Sequence, residues 1–338
     1  MELTPEILSF ELHYAIVARH PRILLIGMGT PQPGFAKFAG GRSSMEVLCQ
    51  ILGPGGHLLI SPWYYMAGPS AWQDRLSSVA KSARAFPETR VTFLCNAPEE
   101  IPVVEEHGLD AIFISQNAFV QEQLFDIAAE PKQYRAIYVA QLAAVKRHEL
   151  AAKVAELALI YAPWNSDNYG RLRSLLAGAA FLNGDPASER YRFFDSGTVA
   201  HYIDQARVGL CLSAEEGAMW ASMEYLLCGV PVVSTPSRGG RDVFFDPEYC
   251  MIVPPDPDAV AAAVTELIER SIDPAIVRAR TVTKIAGHRQ RLVDFVDRAQ
   301  IAAGEQPTGR DELRRLLRSR WHWYSYGTIA DIVRGLAQ

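Results

Sequence analysis

The chain has 338 residues, 49% hydrophobic, 21% charged and 10% aromatic, a composition that excludes a disordered chain or a small disulfide scaffold. Against 38 acidic residues stand 33 basic ones, a net charge of −5, so no nucleic-acid partner is expected and any phosphate must be met locally. Cys49, Cys95, Cys211, Cys228 and Cys250 lack CxxC spacing, no basic-then-apolar leader opens the chain, and no run of 18 apolar residues occurs; a reduced cytoplasmic compartment without signal peptide or membrane span is expected.

Short apolar runs rich in β-branched and aromatic residues recur along the chain with helical patterns between them. Ile23–Ile26, Leu58–Ile60, Val91–Leu94 and Ala111–Ile114 form a first group of predicted strands. Ala136–Val139, Leu157–Tyr161, Tyr191–Phe194, Val208–Leu212, Val230–Val233 and Met251–Val253 form a second. Strands alternating with helices imply parallel sheets, and two groups imply two of them. Pro131 marks the break, which divides the chain at residue 133: domains 1–133 and 134–300, then a segment 301–338 read as helical. That last segment holds the basic run Asp311–Arg320 and the aromatics Trp321, Trp323, Tyr324 and Tyr326. It is expected to pack back on the first domain, with peripheral contact to a membrane surface as the other use of such a face.

The chemistry concentrates in Val208–Asp242. A strand runs into Ser213-Ala214-Glu215-Glu216-Gly217, a helix follows through Leu227, Gly229 stops it, and a second strand leads to Gly239-Gly240. A glycine-bearing loop before a helix presents backbone N–H groups to a phosphate or a sugar hydroxyl. Eight residues of helix would set Glu224 about 12 Å beyond Glu216, wider than the roughly 5–9.5 Å of paired glycosidase acids. The spacing suits two distant parts of one extended ligand.

Ser213, Glu216, Gly217, Glu224, Gly229, Pro231, Val232, Val233 and Gly239-Gly240 together resemble the donor-binding motif of the retaining GT-B glycosyltransferases, glycosyltransferase family 4. The resemblance covers residues 136–270 in detail and the remainder by layout. It implies that Glu216 contacts the donor hexose, that Gly217, Ala218 and Met219 offer backbone donors to sugar and phosphate, and that Glu224 holds the ribose hydroxyls. Tyr138–His148 resembles the same family's segment in which an Arg and, five residues on, a Lys bind the donor diphosphate. Here Lys146 matches, Gln141 stands at the Arg position, and Arg147 is the candidate to supply the missing charge.

In the first domain the resemblance implies a Gly-Gly pair under the donor phosphates, for which Gly40 and Gly41 are the candidates. Gln32 stands where a dinucleotide fingerprint needs its third glycine, which disfavours NAD. Cys95-Asn96 occupies the place where many family members carry a His, leaving Asn96 as an acceptor-side candidate beside Trp63 and Tyr64. Asp256-Pro257-Asp258 reads as a helix cap, and the eight His residues form no HxH or HExxH spacing, so no metal site is expected.

The resulting expectation is an α/β chain of GT-B architecture, two Rossmann-like parallel-sheet domains facing across a cleft. The resemblance implies transfer of a hexose, with retention, from a nucleoside-diphosphate sugar, with UDP the expected nucleotide, to a glycan, a lipid-linked or a small-molecule acceptor, without metal or other cofactor. Two alternatives stand beside it: a catalytically idle relative that binds sugar nucleotide or glycan, and a nucleotide-sugar epimerase of the same architecture.

Overall fold

Ile23–Met28 (β2), His57–Pro62 (β3) and Arg90–Cys95 (β4) read as near-continuous apolar runs because both faces of each are covered. In the computed structural model, which describes residues 3–28, 36–39, 41–68, 70–128, 130–162, 166–184, 191–318 and 325–338, they run parallel to one another and to Asp110–Phe113 (β5). Two strands absent from the sequence reading extend this sheet: Glu11–Ala18 (β1) lies antiparallel on β2, and Ser325–Thr328 (β12) antiparallel on β1. The order is β12-β1-β2-β3-β4-β5.

The helices of this unit are Pro5–Leu8 (α1), Ser44–Leu52 (α2), Ser70–Ala85 (α3), Glu100–Glu105 (α4), Gly309–Leu317 (α10) and Ile329–Ala337 (α11). Capping boxes start two of them, Ser43 with Glu46 at α2 and Thr328 with Asp331 at α11. Leu24, Ile26, Leu58, Ile60 and Phe93 meet Leu48, Leu76, Ile329 and Ile332 in one core, each buried side chain stabilising by roughly 1.5–3 kcal/mol. The C-terminal segment, expected to be helical, therefore supplies a strand as well as helices to the first sheet.

The second sheet has the order β11-β10-β9-β6-β7-β8 and is parallel throughout. Its strands are Tyr134–Val139 (β6), Leu157–Ile160 (β7), Ala180–Phe181 (β8), Ala206–Cys211 (β9), Val232–Ser234 (β10) and Cys250–Ile252 (β11). Ser166–Leu175 (α5), Ser196–Asp204 (α6) and Trp220–Leu227 (α7) lie between them, and Pro257–Glu269 (α8) follows β11. Asp256 caps α8 by accepting the backbone N–H of Asp258 and Ala259, with Pro257 opening the helix. Tyr191–Phe194 is not a strand; Phe193 is 78% exposed, and Ala180 takes the place beside Ala158.

Two compact units result, Met1–Phe119 with Ala286–Gln338, and Val120–Ile285. The long helix Pro274–Ala302 (α9) gives its first turns to the second unit and its remainder to the first. The divisions fall before the expected residues 133 and 300. The segment after Phe119 is tied to the second unit by hydrogen bonds that composition does not show: Arg278 donates to the carbonyls of Glu122 and Phe125, and the Glu130 N–H donates to Asp204.

Candidate functional site

Counted from β6, the second sheet has the doubly wound order of two mirrored halves, and β6 and β9 are the adjacent strands at which the order reverses. The loops leaving the C-terminal ends of two such strands diverge to opposite faces and open a crevice. Residues 140–147 follow β6 and 212–219 follow β9. Topology alone therefore brings Lys146 and Glu216 to one place.

Their side chains meet there. Lys146 Nζ donates to Glu216 Oε1, with the two side chains only 16% and 12% exposed. Lys146 ends a short 3-10 turn, Ala144–Lys146, whose last carbonyl accepts a hydrogen bond from the buried Tyr138 hydroxyl at 2.5 Å. On the other side, the Glu216 N–H donates to the Arg238 carbonyl at 3.1 Å, and the Arg238 N–H returns to Ala214 at 3.0 Å. Gly240 donates to the Gly217 carbonyl at 2.8 Å. The loop carrying Glu216 is thus zipped onto the Gly239-Gly240 loop after β10.

Arg147 is held in a left-handed conformation, φ 48° and ψ 47°, which costs a residue with a Cβ roughly 1 kcal/mol or more. Its guanidinium explains why the chain tolerates this: Nε donates to the Leu212 carbonyl at 2.6 Å and Nη2 to Thr235 Oγ1 at 2.7 Å. Burial, and then the nearby Arg241 guanidinium, lower its pKa. Arg147 therefore joins the ends of β6, β9 and β10.

Ser213 is likewise fully buried, its carbonyl accepting from Arg241 Nη1 at 2.6 Å. Gly217 and Ala218 are buried, Met219 and Glu216 half-buried, Gln141 exposed. Met219, at φ 60°, precedes the first residue of α7, and its own side chain does not cap that helix. Because α7 begins at Trp220, Glu216 lies in the loop before the helix, and the expected continuous helical rise to Glu224 holds only from Trp220 onward. Glu224 is buried in α7. His148, packed against the Tyr138 ring at 4.8 Å, is pushed down to about 4 by burial, then by Lys146 and Arg171, and is neutral near pH 7.

The remaining candidates belong to the first unit. Gly40 lies outside the described residues, as do Trp321, Trp323 and Tyr324. Gly41 sits in a tight turn at φ 81°, its N–H donating to the Phe38 carbonyl, ahead of the capping box of α2. Asn96 is fully buried with both ends of its amide engaged: Nδ2 donates to the Pro62 carbonyl at 2.7 Å and Oδ1 accepts from Gln116 N–H at 3.0 Å. That commitment makes it a strut between β3, β4 and the following turn. Trp63 is half-buried and Tyr64 is 46% exposed.

No sequence signal singles out Arg241, the largest fully buried side chain among the described residues. Its guanidinium donates to the carbonyls of Cys211, Ser213 and Thr235 and pairs with Asp242 at 2.7 Å. The desolvation cost of a buried guanidinium is offset by these hydrogen bonds and the ion pair, which fix three chain segments at once. Tyr225 was also passed over; its hydroxyl accepts from the Val139 N–H at 2.7 Å, at the end of β6. The only signal for either was its presence in the Val208–Asp242 window. Among the described residues no group of three or more His, Cys, Asp or Glu is placed to hold a metal ion, and no helix is long and apolar enough to cross a membrane.

Residues 133–270 match the family described as Glycosyl transferases group 1. The O-antigen biosynthesis protein RfbC of Myxococcus xanthus is 28% identical over 174 residues, half of this chain but only 12% of that protein's length. Among solved structures, Anabaena HepE in complex with UDP has a TM-score of 0.57 at 13% identity, covering 75% of this chain and 76% of that one. Sucrose-phosphate synthase from Thermosynechococcus elongatus has 0.51 at 19%, covering 73% and 68%. The pneumococcal O-GlcNAc transferase GtfA in complex with UDP and GlcNAc has 0.51 at 11%, covering 93% and 65%. At these identities the likeness is one of fold, two Rossmann-like parallel-sheet domains as in GT-B glycosyltransferases.

Proposed function

We propose that this chain, whose residues 133–270 match the group 1 glycosyl transferase family, transfers a hexose from a nucleoside-diphosphate sugar to a hydroxyl-bearing acceptor with retention of configuration. The observation that carries the reading is the meeting of Lys146 with Glu216 at the reversal point of the second sheet. A cation there neutralises the charge that develops on the leaving diphosphate, aided by the N-terminal dipole of α7. Glu216, released from Lys146, accepts hydrogen bonds from hydroxyls of the donor hexose. The bond from the anomeric carbon to the phosphate oxygen breaks, the acceptor oxygen bonds to that carbon, and the acceptor proton leaves with the phosphate. The reading calls on the protein's own cations and assigns no metal to the site. UDP is the first nucleotide to test, since HepE and GtfA are solved with it.

Purified protein is screened by thermal shift against UDP, GDP, ADP and their common sugar conjugates, with Lys146→Ala and Glu224→Ala as controls. Stabilisation by one nucleotide series that both variants lose supports the donor site and identifies the base. No shift with any nucleotide overturns it. A second reading, an idle relative that binds the donor without transferring it, is favoured by Gln141 at the family's Arg position and by the commitment of Arg147 to Leu212 and Thr235. Donor binding without transfer or donor hydrolysis under any acceptor distinguishes it.

A further inference from the structure

The register of the first sheet sets His13 beside Tyr326 on β12 and, one place beyond the Tyr14–Ile26 pair, beside Gly27 on β2. Leu12, Leu24 and Ile26 lie in the core, so alternation turns His13 and Gly27 to the opposite face. Gly27 leaves room that Trp63 fills: a Cβ there would stand 2.8 Å from the indole. The Trp63 and His13 rings meet edge to face at 4.7 Å, and the His13 and Tyr326 rings at 4.8 Å. Tyr326 is 58% exposed, and its hydroxyl donates to Glu11 Oε2 at 2.8 Å. Burial lowers the pKa of His13.

We propose that this aromatic row, Tyr326, His13 and Trp63 with the Glu11 carboxylate at its rim, is a saccharide subsite. A pyranose ring has an apolar C–H face and a rim of hydroxyl donors, and the row offers aromatic surface bordered by a carboxylate and a phenol. Glu11 accepts from hydroxyls and repels phosphate, which assigns the site to an uncharged sugar in preference to a nucleotide. The row lies at the end of the sheet where β2 and β3 terminate, the end at which open α/β sheets bind ligands. It uses residues of the first unit alone and none of the donor loops.

The test is saturation-transfer NMR on the whole chain with the methyl glycosides of glucose, galactose, mannose, rhamnose and N-acetylglucosamine. At least one glycoside should receive saturation on its ring protons, and Tyr326→Ala should weaken its binding about tenfold. Glu11→Gln should weaken it less, and Tyr326→Phe, which keeps the ring, less than Tyr326→Ala. Because Tyr326 and Glu11 are exposed, these variants are not expected to disturb the fold, which circular dichroism checks. No saturation with any of the five, or equal binding in wild type and Tyr326→Ala, overturns the proposal. UDP affinity is measured on the same samples: it should be unchanged in Tyr326→Ala, and a parallel loss overturns the assignment to the first unit. Absence of UDP binding in the wild type counts against the donor reading alone and leaves the saccharide result standing.

Discussion

Replacing Glu216 by Gln should tighten the binding of UDP while removing transfer. In the unliganded site Lys146 is already engaged by the Glu216 carboxylate, both side chains largely buried at 16% and 12% exposure. A diphosphate that needs Lys146 must first displace that carboxylate. A charge-assisted hydrogen bond contributes roughly 1.5–3 kcal/mol net, and at about 1.4 kcal/mol per factor of ten the full competition is worth roughly 10–100-fold in UDP affinity. Solvent and the loop amides recover part of this for the displaced carboxylate, so a gain of roughly 3–10-fold is expected in Glu216→Gln, which keeps the shape and removes the charge. Lys146→Ala should lose UDP affinity instead. Isothermal titration with UDP alone reads both, and a transfer assay reads the loss of activity once an acceptor is found. Equal or weaker UDP binding in a folded Glu216→Gln protein would refute the competition and with it the assignment of Lys146 to the diphosphate.

Arg147→Ala removes the tie among the ends of β6, β9 and β10 and should destabilise the second unit by roughly 1–3 kcal/mol, measured by urea denaturation; no change would show the guanidinium contacts to be idle. Gly41→Ala meets no neighbour but forces a left-handed φ of 81° and should cost roughly 1 kcal/mol, seen as a lower Tm without loss of UDP binding. His148 and His288, held near 4 by burial against the usual 6.5, bind protons more readily in the unfolded chain. Their stabilisation is complete above about pH 6.5 and is lost as the pH falls toward about 4, by roughly 2–3 kcal/mol each. In the first unit, Glu100 opposes His288: burial raises its carboxyl to about 7 against the pull of three backbone N–H groups, so the native state regains stability as the pH falls from about 7 toward 4.5. Hydrogen exchange against pH should show steeper acid loss in the second unit than in the first, and equal slopes would refute this opposition.

The parallel strands were legible because buried central strands are uniformly apolar, and nine of the ten expected runs coincide with observed strands. The exception, Tyr191–Phe194, has strand composition without a partner edge, while Ala180–Phe181, too short to show a period, has the edge beside β7. β1 and β12 escaped because they are only partly buried and carry Glu11, His13 and Gly327; only the pairing of distant segments makes them strands. The end of the first unit at Phe119 depends on hydrogen bonds donated by Arg278 and accepted by Asp204. Local composition near Pro131 could not reveal them.

The site divides along the same line. Lys146 and Glu216 were legible because each sits in a local motif, and the strand order brings the motifs together. Arg147 was legible as a cation but not in its use, because a sequence does not show that its backbone turns left-handed and sends the guanidinium to Leu212 and Thr235. Arg241 was invisible for the opposite reason: an Arg after two glycines reads as an exposed loop charge, whereas here the carbonyls of Cys211, Ser213 and Thr235 and the carboxylate of Asp242 converge on it. A buried guanidinium that gathers the ends of β9 and β10 leaves the loops above it little freedom. The position of Glu216 opposite Lys146 is therefore set by the fold itself, which is the preorganisation that the proposed electrostatic stabilisation of a leaving group requires.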